Sequence, residues 1–175
     1  MIEASIPIQL IVTDRECTAE TIATRNNITL VRVERNSYGK DFDRDTYTCE
    51  VRDAVIDHEI DLIAMAGFGT ILNKPIYDDF SNRILNTHPS LLPSFPGWHA
   101  VEEALEYGVK VTGCTVHIAT EEVDAGPILA QKSIPVLKDD TKETLHERIK
   151  KVERQLYVDT LNKIIATNGQ IERDQ

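Results

Sequence analysis

Asn86, His88 and, thirty-six residues beyond the histidine, Asp124 are the residues whose types and spacing could do chemistry. The first two stand in Asn86-Thr87-His88-Pro89-Ser90-Leu91-Leu92-Pro93, the third in Asp124-Ala125-Gly126-Pro127. A side-chain amide beside a titratable ring is what a developing oxyanion requires. A carboxylate folded back against that ring would keep it protonated near neutral pH. The set suits acyl transfer.

These residues need a scaffold, and the hydrophobic pattern supplies one. Residues 8–13 form a short, β-branched, nearly continuous apolar run, as expected of a strand covered on both faces. A helix follows over 14–26 with Ala19, Ile22 and Ala23 on one side, then a strand over 28–33 and a loop over 36–40. Residues 45–58 read as a helix with Tyr47, Val51, Ala54 and Val55 as its apolar stripe, and 61–66 as a third strand. A short helix near 74–80 leads to a strand over 83–86, whose carboxyl end delivers Asn86 and His88. Open α/β sheets hold their ligands at that end.

Beyond a proline-punctuated loop, a helix is expected over 101–107, ended by Gly108, and strands over 109–119 and 128–136. The last helix is expected to start at Asp140 with Glu143 in a capping box. Leu145, Ile149, Val152, Leu156, Leu161 and Ile164 would form its buried stripe. Strands alternating with helices predict an α/β, doubly wound, mostly parallel sheet in one domain over residues 1–175.

Composition narrows the partners. A net charge of −10 and a pI near 4.9 disfavour nucleic acid, and Lys142, Arg148, Lys150, Lys151 and Arg154 read as a solvated helix face. Cys17, Cys49 and Cys114 lack metal or disulfide spacing and read as small hydrophobes. No apolar run spans a membrane and no signal core opens the chain, so the cytoplasm is the expected location, with no metal.

Asn86 to Pro93, the following Phe95-Pro96-Gly97, Ala66-Gly67-Phe68-Gly69-Thr70-Ile71-Leu72, residues 111–117 (V-T-G-C-T-V-H) and residues 122–131 (E-V-D-A-G-P-I-L-A-Q) together resemble the folate-dependent formyltransferases. The resemblance runs from about Ile8 to the end of the chain and implies a Rossmann-like formyltransferase fold. It implies transfer of a formyl group from 10-formyltetrahydrofolate to the amine of glycinamide ribonucleotide, in purine biosynthesis. By that resemblance Asn86, His88 and Asp124 are catalytic. Arg44, Gly69, Thr70, Ile71 and Leu72, with Asn86, hold the folate, the Gly69-Thr70 pair through its main chain. Glu153 meets the ribose hydroxyls of the ribonucleotide. Thr115 and His117, two apart on one strand, could face the same site. For His117 a hydrogen-bonded strand histidine is the competing reading. His58, His99 and His146 read as surface or capping residues, and Phe68 and Trp98 as core.

The resemblance also implies a departure. Relatives begin with a strand, a glycine-rich phosphate loop and a helix before the segment found here near Ile8. Met1 to Pro7 contain no glycine to build that loop. The expectation is a true start about thirty residues upstream. The alternative is a partner-completed or inactive folate-binding relative. Weak ribonucleotide binding, and an exposed apolar sheet edge that makes the chain aggregation-prone or homo-oligomeric, are expected of the chain as it stands. A deformylase-like hydrolase is the competing activity. A tRNA formyltransferase is disfavoured by the acidic charge.

Overall fold

The computed structural model describes residues 1–167 and 171. The chain forms two compact units: Met1–Ile63 with Gly67–Arg83, and Ala64–Ala66 with the chain from Ile84 onward.

In the first unit a 3-10 turn at Ile2–Ala4 precedes strand β1 (Leu10–Thr13), helix α1 (Thr18–Arg25), strand β2 (Thr29–Arg32), and helices α2 (Arg44–Asp57) and α3 (Lys74–Asp79). β1 and β2 pair in parallel, with Leu10 opposite Thr29 and Thr13 opposite Arg32. Parallel neighbours need a crossover, which α1 provides. The Asp43 carboxylate caps α2 by accepting the Thr46 N–H at 3.0 Å. Tyr47, Val51 and Val55, one turn apart, are buried along one side of the helix. The buried Thr48 hydroxyl accepts the Asn73 N–H at 3.0 Å and so fixes the chain where α3 begins.

Strand β3 (Ile63–Ala64) opens a four-stranded sheet ordered β3-β4-β5-β6, with β4 at Ile84–His88, β5 at Val111–Ile118 and β6 at Ile128–Pro135. Ile63 N–H donates to the Arg83 carbonyl at 2.8 Å and Met65 N–H to that of Leu85 at 2.9 Å. Donors and acceptors advance together, the parallel pattern. β4 with β5, and β5 with β6, run antiparallel. The sheets of this α/β chain are therefore mixed. Residues 119–127 join β5 to β6 without a helix, and so short a connection cannot return a strand in parallel.

In the second unit, helices α4 (Ala100–Tyr107) and α5 (Lys142–Ala166) supply the cover. Val101, Cys114, Ile134, Leu145 and Ile149 form one buried cluster, flanked by Leu105, Val136, Val152 and Leu156. Gly113 is required by close packing, since a Cβ there would lie 2.1 Å from the Lys132 carbonyl oxygen of β6. Burial, with the Glu153 carboxylate nearby, pushes the Cys114 thiol up to about 11, which leaves it a packing residue.

Several expectations are corrected. α5 is capped by Thr141, and the reciprocal partner is Thr144, one residue later than expected at each end. Asp140 cannot cap because its carboxylate is committed to Arg148 and to the Leu137 N–H, and Arg148 holds it well below the usual carboxylate range. Trp98 is 74% exposed rather than core. Its loop turns inward through main-chain groups, which sends this side chain outward. Cys17 is exposed. The basic residues of α5 are partly neutralised: Lys142 pairs with Glu102, Arg148 with Asp140 and Lys150 with Glu147. Among the described residues, no helix is long and apolar enough to cross a membrane.

Candidate active site

β4 buries Ile84 and Leu85 completely and ends on Asn86, Thr87 and His88. Alternation puts Asn86 and His88 on one face, and the antiparallel pairing sets His117 opposite Asn86 and Thr115 opposite His88. Directly opposed residues share a face, so these four side chains line one surface. Thr115 and His117, two apart on β5, therefore share a face with His88 and Asn86.

Thr115 organises the loop that follows β4. Its buried hydroxyl donates to the Ser90 carbonyl at 2.7 Å and accepts from the Leu92 N–H at 3.1 Å. Gln131 of β6 adds an amide donor to the Leu92 carbonyl at 2.9 Å. The loop is thus tied to the sheet at three points, which holds the next residues near His88.

Asp124 arrives from the β5–β6 loop in a left-handed conformation, φ 57°. Two residues on, Gly126 passes so close to β5 that a Cβ would meet the Ile118 carbonyl oxygen at 1.9 Å. That approach explains why glycine follows so soon, and it draws the Asp124 carboxylate inward to 6% side-chain exposure. Asp124 Oδ2 lies 3.2 Å from His88 Nδ1 and accepts the Gly97 N–H at 2.8 Å. Asp124 Oδ1 lies 3.6 Å from His117 Nε2. The carboxylate therefore stands between two imidazoles.

The other nitrogen of His88, Nε2, lies 2.7 Å from the Phe95 carbonyl oxygen. Both ring nitrogens face acceptors, and only the imidazolium donates from both. His117 differs. Its Nδ1 bonds the Ile118 carbonyl at 3.0 Å, while Nε2 is buried with no hydrogen-bond partner among the described residues. Burial is the main force holding its pKa below the ordinary histidine value, and the charge on His88 acts the same way against Asp124 and the Ile118 carbonyl. An imidazole held toward its neutral form can take a proton, which an imidazolium cannot.

Glu153 of α5 is half-buried, and burial raises its carboxyl above the usual range, countered first by the Thr87 hydroxyl and next by the charge of His88. Of the residues that the resemblance gives to the folate, Arg44 and Gly69 to Leu72 lie in the first unit and Asn86 in the second. Arg44 is the first residue of α2, half-buried. In the segment 69–72, Thr70 and Leu72 are buried while Gly69 and Ile71 are half-buried. The Thr70 hydroxyl is taken up by Asp14 at 3.4 Å and Arg35 at 3.2 Å, leaving main chain as what this segment can offer. Among the other histidines, His58 bonds the Ala54 carbonyl, His99 is the N-cap residue of α4 and bonds Glu102, and His146 is half-buried. Sequence reasoning missed the Phe95 carbonyl and the Gly97 N–H, because main-chain groups carry no residue type. The Pro96-Gly97 turn was the available signal. Among the described residues, no cluster of His, Cys, Asp and Glu is placed to hold a metal ion.

Comparison with known proteins agrees with the fold. The family model described as formyl transferase matches residues 3–161. The chain is 47% identical over 156 residues to the phosphoribosylglycinamide formyltransferase of Mycobacterium tuberculosis strain H37Rv, covering 89% of this chain and 71% of that protein. Its structure superposes on glycinamide ribonucleotide transformylase 1 from Symbiobacterium toebii with a TM-score of 0.83 at 37% identity, covering 91% of this chain and 76% of that one. The phosphoribosylglycinamide formyltransferase of Brucella melitensis gives a TM-score of 0.83 at 36% identity, covering 99% and 90% of the two chains. The α/β fold is that of these proteins, and the chain belongs to the formyl transferase family of enzymes.

Proposed function

We propose that this enzyme transfers the formyl group of 10-formyltetrahydrofolate to the amine of glycinamide ribonucleotide, as the names of its relatives suggest, and that residues 1–175 act as one formyltransferase domain. The observation that carries the reading is the His88–Asp124 contact at 3.2 Å, with the remaining ring nitrogen on a carbonyl.

In this mechanism the amine attacks the formyl carbon and charge develops on the formyl oxygen. Asn86 donates its amide N–H to that oxygen. His88 donates from Nε2, the oxyanion replacing the Phe95 carbonyl as acceptor. Asp124 holds Nδ1 and organises the water that carries a proton from the attacking nitrogen toward N10 of the folate as the carbon–N10 bond breaks. Arg44, the main chain at Gly69, Thr70, Ile71 and Leu72, and Asn86 are assigned to the folate. Glu153 is assigned to the ribose hydroxyls of the ribonucleotide. The reading includes a cytoplasmic site of action.

A transfer assay with both substrates on the purified chain tests the proposal, with Asn86→Ala as the control. Losing one oxyanion donor lowers turnover about a hundred- to a thousandfold. Wild-type turnover in Asn86→Ala would remove Asn86 from the mechanism. Hydrolysis of the folate without transfer would favour the deformylase alternative, which the similarity to named transferases now weighs against.

A further inference from the structure

Arg35 belongs to none of the motifs that carry the resemblance, yet it makes more specific contacts than any other arginine of the first unit. Its main-chain N–H donates to the Asp14 carbonyl at 2.9 Å. Its Nε donates to the Ser37 carbonyl at 3.0 Å and its Nη1 to the Thr70 hydroxyl at 3.2 Å. The guanidinium carbon lies 4.4 Å from the centroid of the Tyr38 ring and 4.3 Å from that of Phe42. Phe42 in turn rests on Tyr47, ring centroids 5.5 Å apart, and directly precedes Asp43, the cap of α2.

A planar cation can stack on rings through its faces while its edge donates to oxygens, and no other side chain offers both at once. Through the edge, Arg35 holds Thr70. Through the face, it holds Phe42 and hence the first turn of α2, which carries Arg44. We infer that Arg35 is a positioning residue for the folate co-substrate, locking the 69–72 main chain and the start of α2 into one arrangement within this unit. The inference rests on the formyltransferase reading above. It deepens that reading by assigning folate affinity to a residue that would not itself touch the folate. The hydroxyl of Thr70, buried and shared between Asp14 and Arg35, is the pivot: where it is held decides how the peptide groups on either side of it are aimed.

The test is calorimetric titration of 10-formyltetrahydrofolate into wild type, Arg35→Met, Arg35→Lys, Thr70→Val and the Arg35→Met/Thr70→Val double variant, with steady-state kinetics in both substrates and melting curves. Losing one charge-assisted hydrogen bond predicts a folate Kd and KM raised about tenfold in Arg35→Met. The same variant should keep kcat and the ribonucleotide KM within about twofold, because uniform folate binding alone is lost. Arg35→Lys should not restore affinity, since an ammonium cannot stack and fork together. The double variant should bind folate no more than about twofold more weakly than Arg35→Met, the non-additivity expected of one shared contact.

An Arg35→Met protein with wild-type folate affinity overturns the inference. So does a parallel loss of kcat and of affinity for both substrates that tracks a lowered Tm, which would mark Arg35 as structural only. Should Arg35→Met fail to fold, Thr70→Val and Arg35→Lys ask the same question, and unchanged folate affinity in both overturns it. A wild type that binds no folate overturns the proposed function along with it. A wild type that binds and transfers while the variants keep full affinity overturns this inference alone.

Discussion

Two buried carboxylates, one in each compact unit, are built alike and partnered differently. Asp14 follows β1 and meets Arg15 at 3.2 Å and the Thr70 hydroxyl at 3.4 Å, with Arg35 on the far side of that hydroxyl. Asp124 meets His88 at 3.2 Å, has His117 at 3.6 Å, and accepts a main-chain N–H. Arginine never releases its proton in a protein, whereas imidazole does so near neutral pH. A carboxylate among guanidiniums is therefore a fixed structural joint, and one among imidazoles can manage a proton. Burial alone does not distinguish the two, and neither does the distance. The chemistry of the partner does.

Exchanging each carboxylate for its amide tests this contrast most directly. Asp124→Asn leaves His88 without its anion, and kcat should fall about a hundred- to ten-thousandfold, the range for a removed acid–base group. Steady-state kinetics across pH check it, and a variant at wild-type kcat would end the proton-handling account. Asp14→Asn should keep kcat within a few-fold and instead lower stability by about 1–3 kcal/mol, the cost of an unsatisfied buried partner, as read by denaturant unfolding. A collapse of kcat there, with stability kept, would erase the difference between the two carboxylates.

The capping contact of α5 calibrates these stability effects. Thr141→Ala should lower stability by about 1 kcal/mol and leave the kinetics alone, since the hydroxyl serves only the helix end.

Two further variants sharpen the proton argument through its sign. His117 has a folded-state pKa below its unfolded value, so between the two the unfolded chain binds more protons and stability rises with pH. That contribution is complete above the unfolded histidine value and fades as the solution is acidified below it. His117→Gln should flatten the acid side of the stability–pH curve, as thermal melts from pH 5 to 8 will record. Glu153 shows the opposite sign: its folded-state pKa is raised, so its penalty is absent at low pH and develops as pH climbs through the folded value. Glu153→Gln should raise Tm at pH 7, lose that advantage near pH 4, and weaken ribonucleotide binding if the carboxylate meets the ribose. A Tm at pH 7 equal to or below that of wild type would mean that the Thr87 hydroxyl and the His88 charge fully offset its burial.

Much of this was legible in the residue string. The β-branched runs mark β1 and β2, and the stripe from Leu145 to Ile164 marks α5, because period alone tells a chain which face to bury. Asn86 and His88, two apart on a strand, had to share a face. The string was less informative where main-chain geometry decides. It put the cap of α5 on Asp140, because nothing local reveals that Arg148, eight residues on, claims the carboxylate. It made Trp98 a core residue, because its size argues for burial when the loop's inward turn cannot be seen.

The sequence by itself determined the chemical inventory and the faces on which it would stand: an amide, an imidazole, a carboxylate, and strands of the right parity to display them. Only the tertiary structure decided the pairings. Asp124 lies thirty-six residues from His88, and Arg35 thirty-five from Thr70. No local propensity reaches so far. The close approach that only Gly126 permits brings the Asp124 carboxylate in, and Phe95 contributes a carbonyl that any residue could have supplied. Long-range contacts of this kind depend on the whole packed sheet. A side chain's identity sets what it can do, and the fold settles which partner it meets.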